Sequence, residues 1–355
     1  MLAAALARID ELTPGADQTV MRAKLRGLMR GYARRYASDA FNVLEIERTR
    51  TADLYNPETS ARSRSFRLAG KLDLTLQEGQ YTWLMDHKTC SEDIADPNAP
   101  YWRQLMVEGQ HQHYMLLEHL NGRRVDGAIW DVTRKPSISP RQITKAEQAQ
   151  IATTGTWFGD EATPCDRETP EMFEARVAWD CTETRPDWYF QRRRIARLDH
   201  QLLEYAGELW QHSQDLLWAR RQGSYPRNSG ACMNYGRPCQ FLGICSGYDE
   251  ATSANWQRRE WVHPELEGDG TDGRDMLTNS RIRCFQTCRR KHLYQYEMGI
   301  ERAEAEEVET LYFGQVWHSA LECWFEQLKG QQNGDANNDS ASAVECVIGA
   351  EDRLR

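Results

Sequence analysis

No stretch of this chain approaches the ~20 consecutive apolar residues that a membrane-spanning helix requires, so it reads as a soluble globular protein. The opening MLAAALARIDEL is too short in its apolar part for a secretory signal and soon turns acidic, and a cytoplasmic chain is expected. Positive charge is also scarce: 44 Lys and Arg face 53 Asp and Glu, a net charge of −9. That balance excludes a polycation that coats nucleic acid without selection. It leaves room for an enzyme with a local basic groove, which RAKLRGLMRGYARR and QRRRIAR are able to line. What the chain does hold is 355 residues, 40% hydrophobic and 27% charged, enough for one large or two ordinary domains. Its 10 cysteines, in a reducing compartment, favour metal binding over disulfides.

The stretch Gly70 to Thr89, GKLDLTLQEGQYTWLMDHKT, reads as an antiparallel hairpin, because runs rich in Leu, Thr, Tyr and Trp flank the polar Gln77-Glu78-Gly79-Gln80. A four-residue loop closed symmetrically sets Asp73 opposite Leu84. Asp86 then lies two residues further on the same face, a diagonal neighbour about 7–8 Å away. Lys88 projects from that face as well. Leu72, Leu74, Leu76, Met85 and His87 point the other way, giving an apolar side that packs and a charged side left free. Two acids and a lysine on one sheet face can hold a divalent cation and position a water beside it. Alternating Asp and Lys is also the ordinary pattern of a solvated strand face, so the flanking chain has to decide.

Residues 2–40 carry helical periodicity, with Leu25, Leu28, Met29 and Tyr32 recurring at spacings of three and four, and the helix starts without a capping residue. Residues 41–54 read as a strand, and the hairpin follows at about 66–88. Beyond the loop SEDIADPNAP a helix is expected over 101–120, stacking Gln110 and Tyr114 at i, i+4. An amide and a phenol so placed can grip a nucleic-acid backbone while the ring packs on sugar or base. A half-buried tyrosine beside a surface amide gives the same pattern. His111, His113 and His119 read as ordinary surface or interface residues. RRVDGAIWDVTRK reads as a strand, 135–185 as irregular, and 186–221 as a basic amphipathic helix.

In ACMNYGRPCQFLGICSGY, Cys232, Cys239 and Cys245 are separated by six and five residues, a loop suited to thiolates bending around one centre. The fourth ligand is expected from RIRCFQTCRRKHLYQY, as Cys288 or, one turn earlier, Cys284. Residues 263–280 are Gly- and Asp-rich and read as a flexible linker. In LYFGQVWHSALECWFEQL, Trp317, Leu321, Trp324 and Phe325 form an apolar stripe, with His318 and Glu322 at i, i+4 on an adjoining face. A lone histidine there is usually structural. GQQNGDANNDSASA reads as a mobile polar tract before a final helix.

Four motifs resemble those of the PD-(D/E)xK nuclease superfamily, in its RecB-like branch with an iron–sulfur cluster, which includes phage-type exonucleases and CRISPR adaptation nucleases. They are G-x-x-x-H-x-x-L-E at Gly314 to Glu322, G-x-x-D at Gly70 to Asp73, D-x-K at Asp86 to Lys88 and Q-x-x-x-Y at Gln110 to Tyr114; the cysteine pattern is a fifth likeness. The resemblance implies an α/β, restriction-endonuclease-like mixed sheet flanked by helices, with a cysteine-stapled edge. It implies that His318, Asp73, Asp86 and the backbone carbonyl of His87 bind Mg²⁺ or Mn²⁺. Lys88 would then orient or activate the attacking water and stabilise phosphate charge, and Gln110 and Tyr114 would position DNA. Cys288, Cys232, Cys239 and Cys245 would hold a [4Fe–4S] cluster, with Zn²⁺ the alternative occupant.

The motif order departs from the family's, because the His318 and Cys288 segments follow the hairpin instead of preceding it. The chain therefore reads as a circular permutant: residues 1–265 carry the hairpin, the Gln–Tyr helix and the closing cysteines, 266–275 are a linker, and 276–355 belong before residue 1. Arg355 and Met1 are then expected near each other, and the linker around Gly270 poorly ordered. The function implied is a metal-dependent DNA exonuclease acting on single strands or ends, bacterial or phage-encoded, with recombination or CRISPR-adaptation proteins as candidate partners. A CRISPR-type processing nuclease, a non-catalytic DNA-binding subunit and a zinc-stapled structural protein are the rival readings.

Overall fold

Alternating apolar residues in the segments around the hairpin produce a mixed sheet, described here from a computed structural model covering residues 1–234, 236–266, 272–304 and 309–351, with the last helix's side chains described as far as Asn333. Two helices, α1 (Leu2–Leu12) and α2 (Thr19–Arg35), precede the antiparallel strands β1 (Asn42–Tyr55), β2 (Arg62–Glu78) and β3 (Tyr81–Cys90). Then follow α3 (Pro100–Val107), α4 (Gln110–Leu120) and β4 (Gly127–Arg134), the last parallel to β3. Helices α5 (Lys145–Thr154) and α6 (Pro170–Trp179) lead to β5 (Phe190–Ile195), antiparallel to β4, and to α7 (Asp199–Gln222). Finally β6 (Asp275–Leu277) pairs in parallel with Phe66 to Leu68 of β2, before α8 (Asn279–Thr287) and α9 (Glu309–Glu351). The strand order is β1-β2-β3-β4-β5, with β6 alongside β2. Among the described residues no helix is long and apolar enough to cross a membrane.

Both faces of the sheet are covered. On one, Leu74, Leu76, Met85 and Ile129 pack with Tyr32, Trp317, Trp324 and Phe325 from α2 and α9. On the other, Leu68 packs with Leu117, Leu209, Leu277 and Phe285, while Leu72 and Leu84 meet Met115 of α4. Each such side chain fully buried stabilises by about 1.5–3 kcal/mol. The expected free face is therefore absent, and Leu72 packs on the same side as Leu84, opposite to Leu74. The backbone bends there: Glu47, between the partners of Leu72 and Leu74, has φ of +47°.

Other segments also differ from expectation. The hairpin closes on Glu78 opposite Tyr81, a two-residue turn that Gly79 permits at φ of +61°, so the register slips by two from the symmetric four-residue loop. Thr13 to Gln18 break the first helical region, and Glu108 and Gly109 break the 101–120 helix. The irregular region contains α5, opened by a Thr144/Glu147 capping box, and α6, capped by Thr169 with proline at its first position. QRRRI is an edge strand whose guanidinium groups sit over rings, Arg192 over Tyr36 at 3.5 Å and Arg193 over Trp102 at 3.7 Å.

Nor does α2 offer a basic groove. Arg26, Arg30, Arg34 and Arg35 are ion-paired to Glu174, Asp160, Glu183 and Asp187. The linker segment ends early, because Met276 and Leu277 are buried in the sheet, and helix α9 runs through the polar tract. Arg355 and residues 267–271 lie outside the described residues.

Candidate active site

The corrected register, carried one step beyond the Leu74–Met85 pair, brings Asp73 level with Asp86 in place of Leu84. Asp73 Oδ2 accepts from the His87 backbone N–H at 2.9 Å, pinning β2 to β3 where their ladder ends. Gly70 and Gly314 explain two motif glycines: a Cβ at Gly70 would lie 2.8 Å from the Tyr114 ring, and one at Gly314 would lie 3.2 Å from Thr89 Oγ1. Each lets a helix approach the hairpin closely.

Gln110 links the charged groups. Its Oε1 accepts from Lys88 Nζ at 2.8 Å, and its Nε2 donates to Asp86 Oδ1 at 2.9 Å and to Tyr114 Oη at 3.1 Å. Lys88 Nζ also stands 2.7 Å from Asp86 Oδ2, at an angle that makes no hydrogen bond, so that buried oxygen has no donor. From the far end of the chain, α9 brings His318 Nδ1 to 3.9 Å from Asp73 Oδ2.

These positions set the charges. Burial and the Asp86 carboxylate push the Asp73 carboxyl up to about 7. Burial works on Asp86 in the same sense, yet the Lys88 ammonium 2.7 Å away outweighs it and holds the group low. Burial pulls Lys88 down, and Asp86 more than offsets this, so its ammonium is retained. Burial and the neighbouring His87 lower His318 to about 4, leaving a neutral imidazole. Two adjacent carboxyl groups and a neutral ring nitrogen are the kinds of donor that ligate a divalent cation.

Several residues of the site were not anticipated. Glu47, Lys71, Glu108 and Arg283 line the cleft with Asp73, Gln110 and Tyr114. The His87 side chain lies on the opposite face, as its alternation with Asp86 and Lys88 implied, stacked 5.3 Å from Phe325; its partner was not foreseen, Nδ1 donating to Asp131 Oδ2 at 2.8 Å. Asp131 also accepts from Tyr32 Oη at 2.6 Å and Arg192 Nε at 2.8 Å. A histidine on the apolar side of one strand and an aspartate inside AIWDV, each requiring a buried partner, were the available signals. His111 and His113 are buried, contrary to expectation; Trp130 Nε1 donates to His111 and His113 meets the Ala69 carbonyl. His119 is exposed.

The cysteines occupy a separate edge. Cys232, Cys239, Cys245 and Cys288 are free and half-buried, and Cys245 lies within electrostatic reach of Cys232 and Cys288. Cys239 N–H donates to the Cys232 carbonyl at 2.7 Å, and Asn228 Nδ2 donates to the Thr287 carbonyl at 2.8 Å, joining the two segments. Cys284 is buried, which pushes its thiol up to about 11. Among the described residues no three His, Cys, Asp or Glu side chains stand together at metal-ligating spacing.

A mixed, mainly antiparallel sheet between helices, with acids and a lysine on its central hairpin, defines the restriction-endonuclease-like class. The model of the PD-(D/E)XK nuclease superfamily matches residues 1–246 and 276–352, and the chain belongs to that superfamily. No curated protein and no solved structure matches it.

Proposed function

We propose that the protein hydrolyses DNA phosphodiester bonds as a Mg²⁺- or Mn²⁺-dependent exonuclease on single strands or DNA ends. The observation carrying this reading is the convergence of Asp73, Asp86, Lys88 and Gln110 with His318 from α9. Asp73, Asp86, His318 and the His87 carbonyl would hold the cation. The orphaned Asp86 Oδ2 and the raised Asp73 carboxyl fit that role. Mg²⁺ is usually bound through one or two carboxylates plus water and substrate oxygens, so a larger side-chain cluster is not required. When bound, such an ion polarises the phosphate and lowers the pKa of water.

Lys88, protonated and held by Gln110 and Asp86, is suited to donating a hydrogen bond to the attacking water or to a phosphate oxygen. Its charge argues against a general-base role. Gln110 and Tyr114 would position the strand. Cys288 with Cys232, Cys239 and Cys245 would hold a [4Fe–4S] cluster, or Zn²⁺ in its place; free, similarly exposed thiols from two linked segments support this, and burial disfavours Cys284.

Residues 1–265 and 276–355 would form one domain in permuted order. Supporting this, β6 joins the sheet, Arg8 Nε donates to Ser319 Oγ at 2.9 Å between α1 and α9, and the family match resumes at residue 276. End-labelled single- and double-stranded DNA incubated with Mg²⁺ or Mn²⁺ should shorten progressively, with an EDTA control unchanged. Folded protein that leaves both substrates intact with either metal would sink the reading, and cutting of circular single strands would replace exonuclease with endonuclease.

A further inference from the structure

Three clefts run end to end along one side of α8. The first lies against Asp73, Gln110 and Tyr114 and is bounded by the start of the helix, Thr278 to Ser280. The second, of about 290 Å³, shares Glu108, Asn279 and Arg283 with the first and extends to His212 and Gln286. The third shares His212 and Gln286 with the second and ends at Cys288 and Arg289. Asn279, Arg283 and Gln286 stand at i, i+4 and i+7, a single helical stripe of two amides around one guanidinium. Where the first two clefts meet, Arg283 Nη1 pairs with Glu108 Oε1 at 2.8 Å, and the arginine side chain is 60% exposed.

We propose that this groove is the track of the DNA single strand leading to the catalytic acids, with Arg283 its phosphate contact and Glu108 an internal competitor for that guanidinium. The proposal rests on the nuclease reading and adds the path of the substrate. Helix α8 spans about 13 Å at 1.5 Å per residue, room for about four nucleotides at stacked spacing. Amides and a guanidinium hold phosphate and sugar without reading base edges, so the strand would be accepted regardless of sequence. With the guanidinium exposed and only the carboxylate half-buried, the pair adds little stability, and a phosphate can replace Glu108 on Arg283 through paired hydrogen bonds. Glu208 and Asp215 also line the clefts, with Arg227 and Arg289 at the far end, so phosphate contact is confined to the guanidinium groups and needs no broad positive surface.

The test is fluorescence anisotropy of labelled oligothymidylate about 12 nucleotides long, bound to the full chain in EDTA across a salt series. Arg283→Gln should weaken binding and reduce the slope of log K against log salt by about 0.7, one phosphate contact on a single strand. Glu108→Gln should tighten binding by about threefold, since it removes the carboxylate that competes for the exposed Arg283 guanidinium. Thermal melts confirm that both variants fold. Wild-type affinity and slope in Arg283→Gln would overturn the track, as would Glu108→Gln weakening binding, since the pair would then be a structural clasp. Metal-dependent cleavage by the wild type alongside an unchanged Arg283→Gln slope overturns the track and leaves the nuclease reading standing. A reduced slope in a protein that cleaves no DNA does the reverse.

Discussion

Asp131→Asn tests the scaffold beneath the site. The residue is 2% exposed and its carboxylate accepts hydrogen bonds from Tyr32, His87 and Arg192. Burial alone would raise its carboxyl; Arg192 and His87 outweigh burial and hold it well below the usual range. The substitution keeps the shape and removes the negative charge beside the Arg192 guanidinium and the His87 ring. Removing one member of a buried pair costs about 3–5 kcal/mol. Arg192 keeps Asp39 at 2.5 Å, which favours the lower end of the range. At about 1.3 °C per kcal/mol for a chain of this length, a loss of about 3 kcal/mol lowers Tm by about 4 °C in calorimetry. A depressed carboxyl supplies stability that is present above its unfolded pKa, near 3.9, and is lost as pH falls through the lower folded value. The gap between wild type and variant should thus be wide at neutral pH and close in acid below about pH 4. A variant within about 1 kcal/mol of wild type at neutral pH, or a gap that persists in acid, would refute the assignment.

Asp86→Asn should lower metal-dependent cleavage about a thousandfold or more, and Lys88→Met should be severely impaired while still binding Mn²⁺ by calorimetry; wild-type cleavage by either variant defeats the site assignment. Gly70→Ala places a Cβ 2.8 Å from Tyr114 Cε1 and 3.1 Å from Leu117 Cδ1. That overpacking should cost about 1–3 kcal/mol and, by displacing the Tyr114–Gln110 pair, slow cleavage about tenfold or more, measurable by melts and single-turnover rates. Metal-free Asp73→Asn should gain stability over wild type as pH rises from near 4 to about 7, because the wild-type carboxyl, raised on folding, resists ionisation across that window; melts at each pH check the sign. Anaerobically purified protein should be brown with iron and sulfide, and Cys288→Ser should lose both; colourless protein with stoichiometric zinc would replace the cluster by a zinc staple.

The hairpin, its two acids, Lys88 and the Gln110–Tyr114 pair were legible because each depends on spacing within one strand or helix. Register was not, because Gly79 at positive φ permits a tighter turn than the polar tetrapeptide suggests. The two-sided burial of β2 and β3 was hidden for a related reason: sidedness reverses between Leu72 and Leu74, opposite the positive-φ Glu47 of the neighbouring strand, a feature that no pattern within β2 shows. Arginine-rich QRRRI looked helical and basic because single-residue scales do not register a guanidinium placed over Tyr36 or Trp102. The caps at Thr144 and Thr169 were readable local signals for α5 and α6.

The amide of Gln110 has its two ends in different company. Lysine can only donate and an ionised aspartate can only accept, so the oxygen must face Lys88 and the nitrogen must face Asp86. No other side chain of that length presents both polarities. Glutamate would satisfy the lysine and set a further negative charge against Asp86, whereas truncation would merely let water in. The near-isosteric Gln110→Glu is therefore the more disruptive replacement, and a chemically conservative change at this position is the least tolerable one.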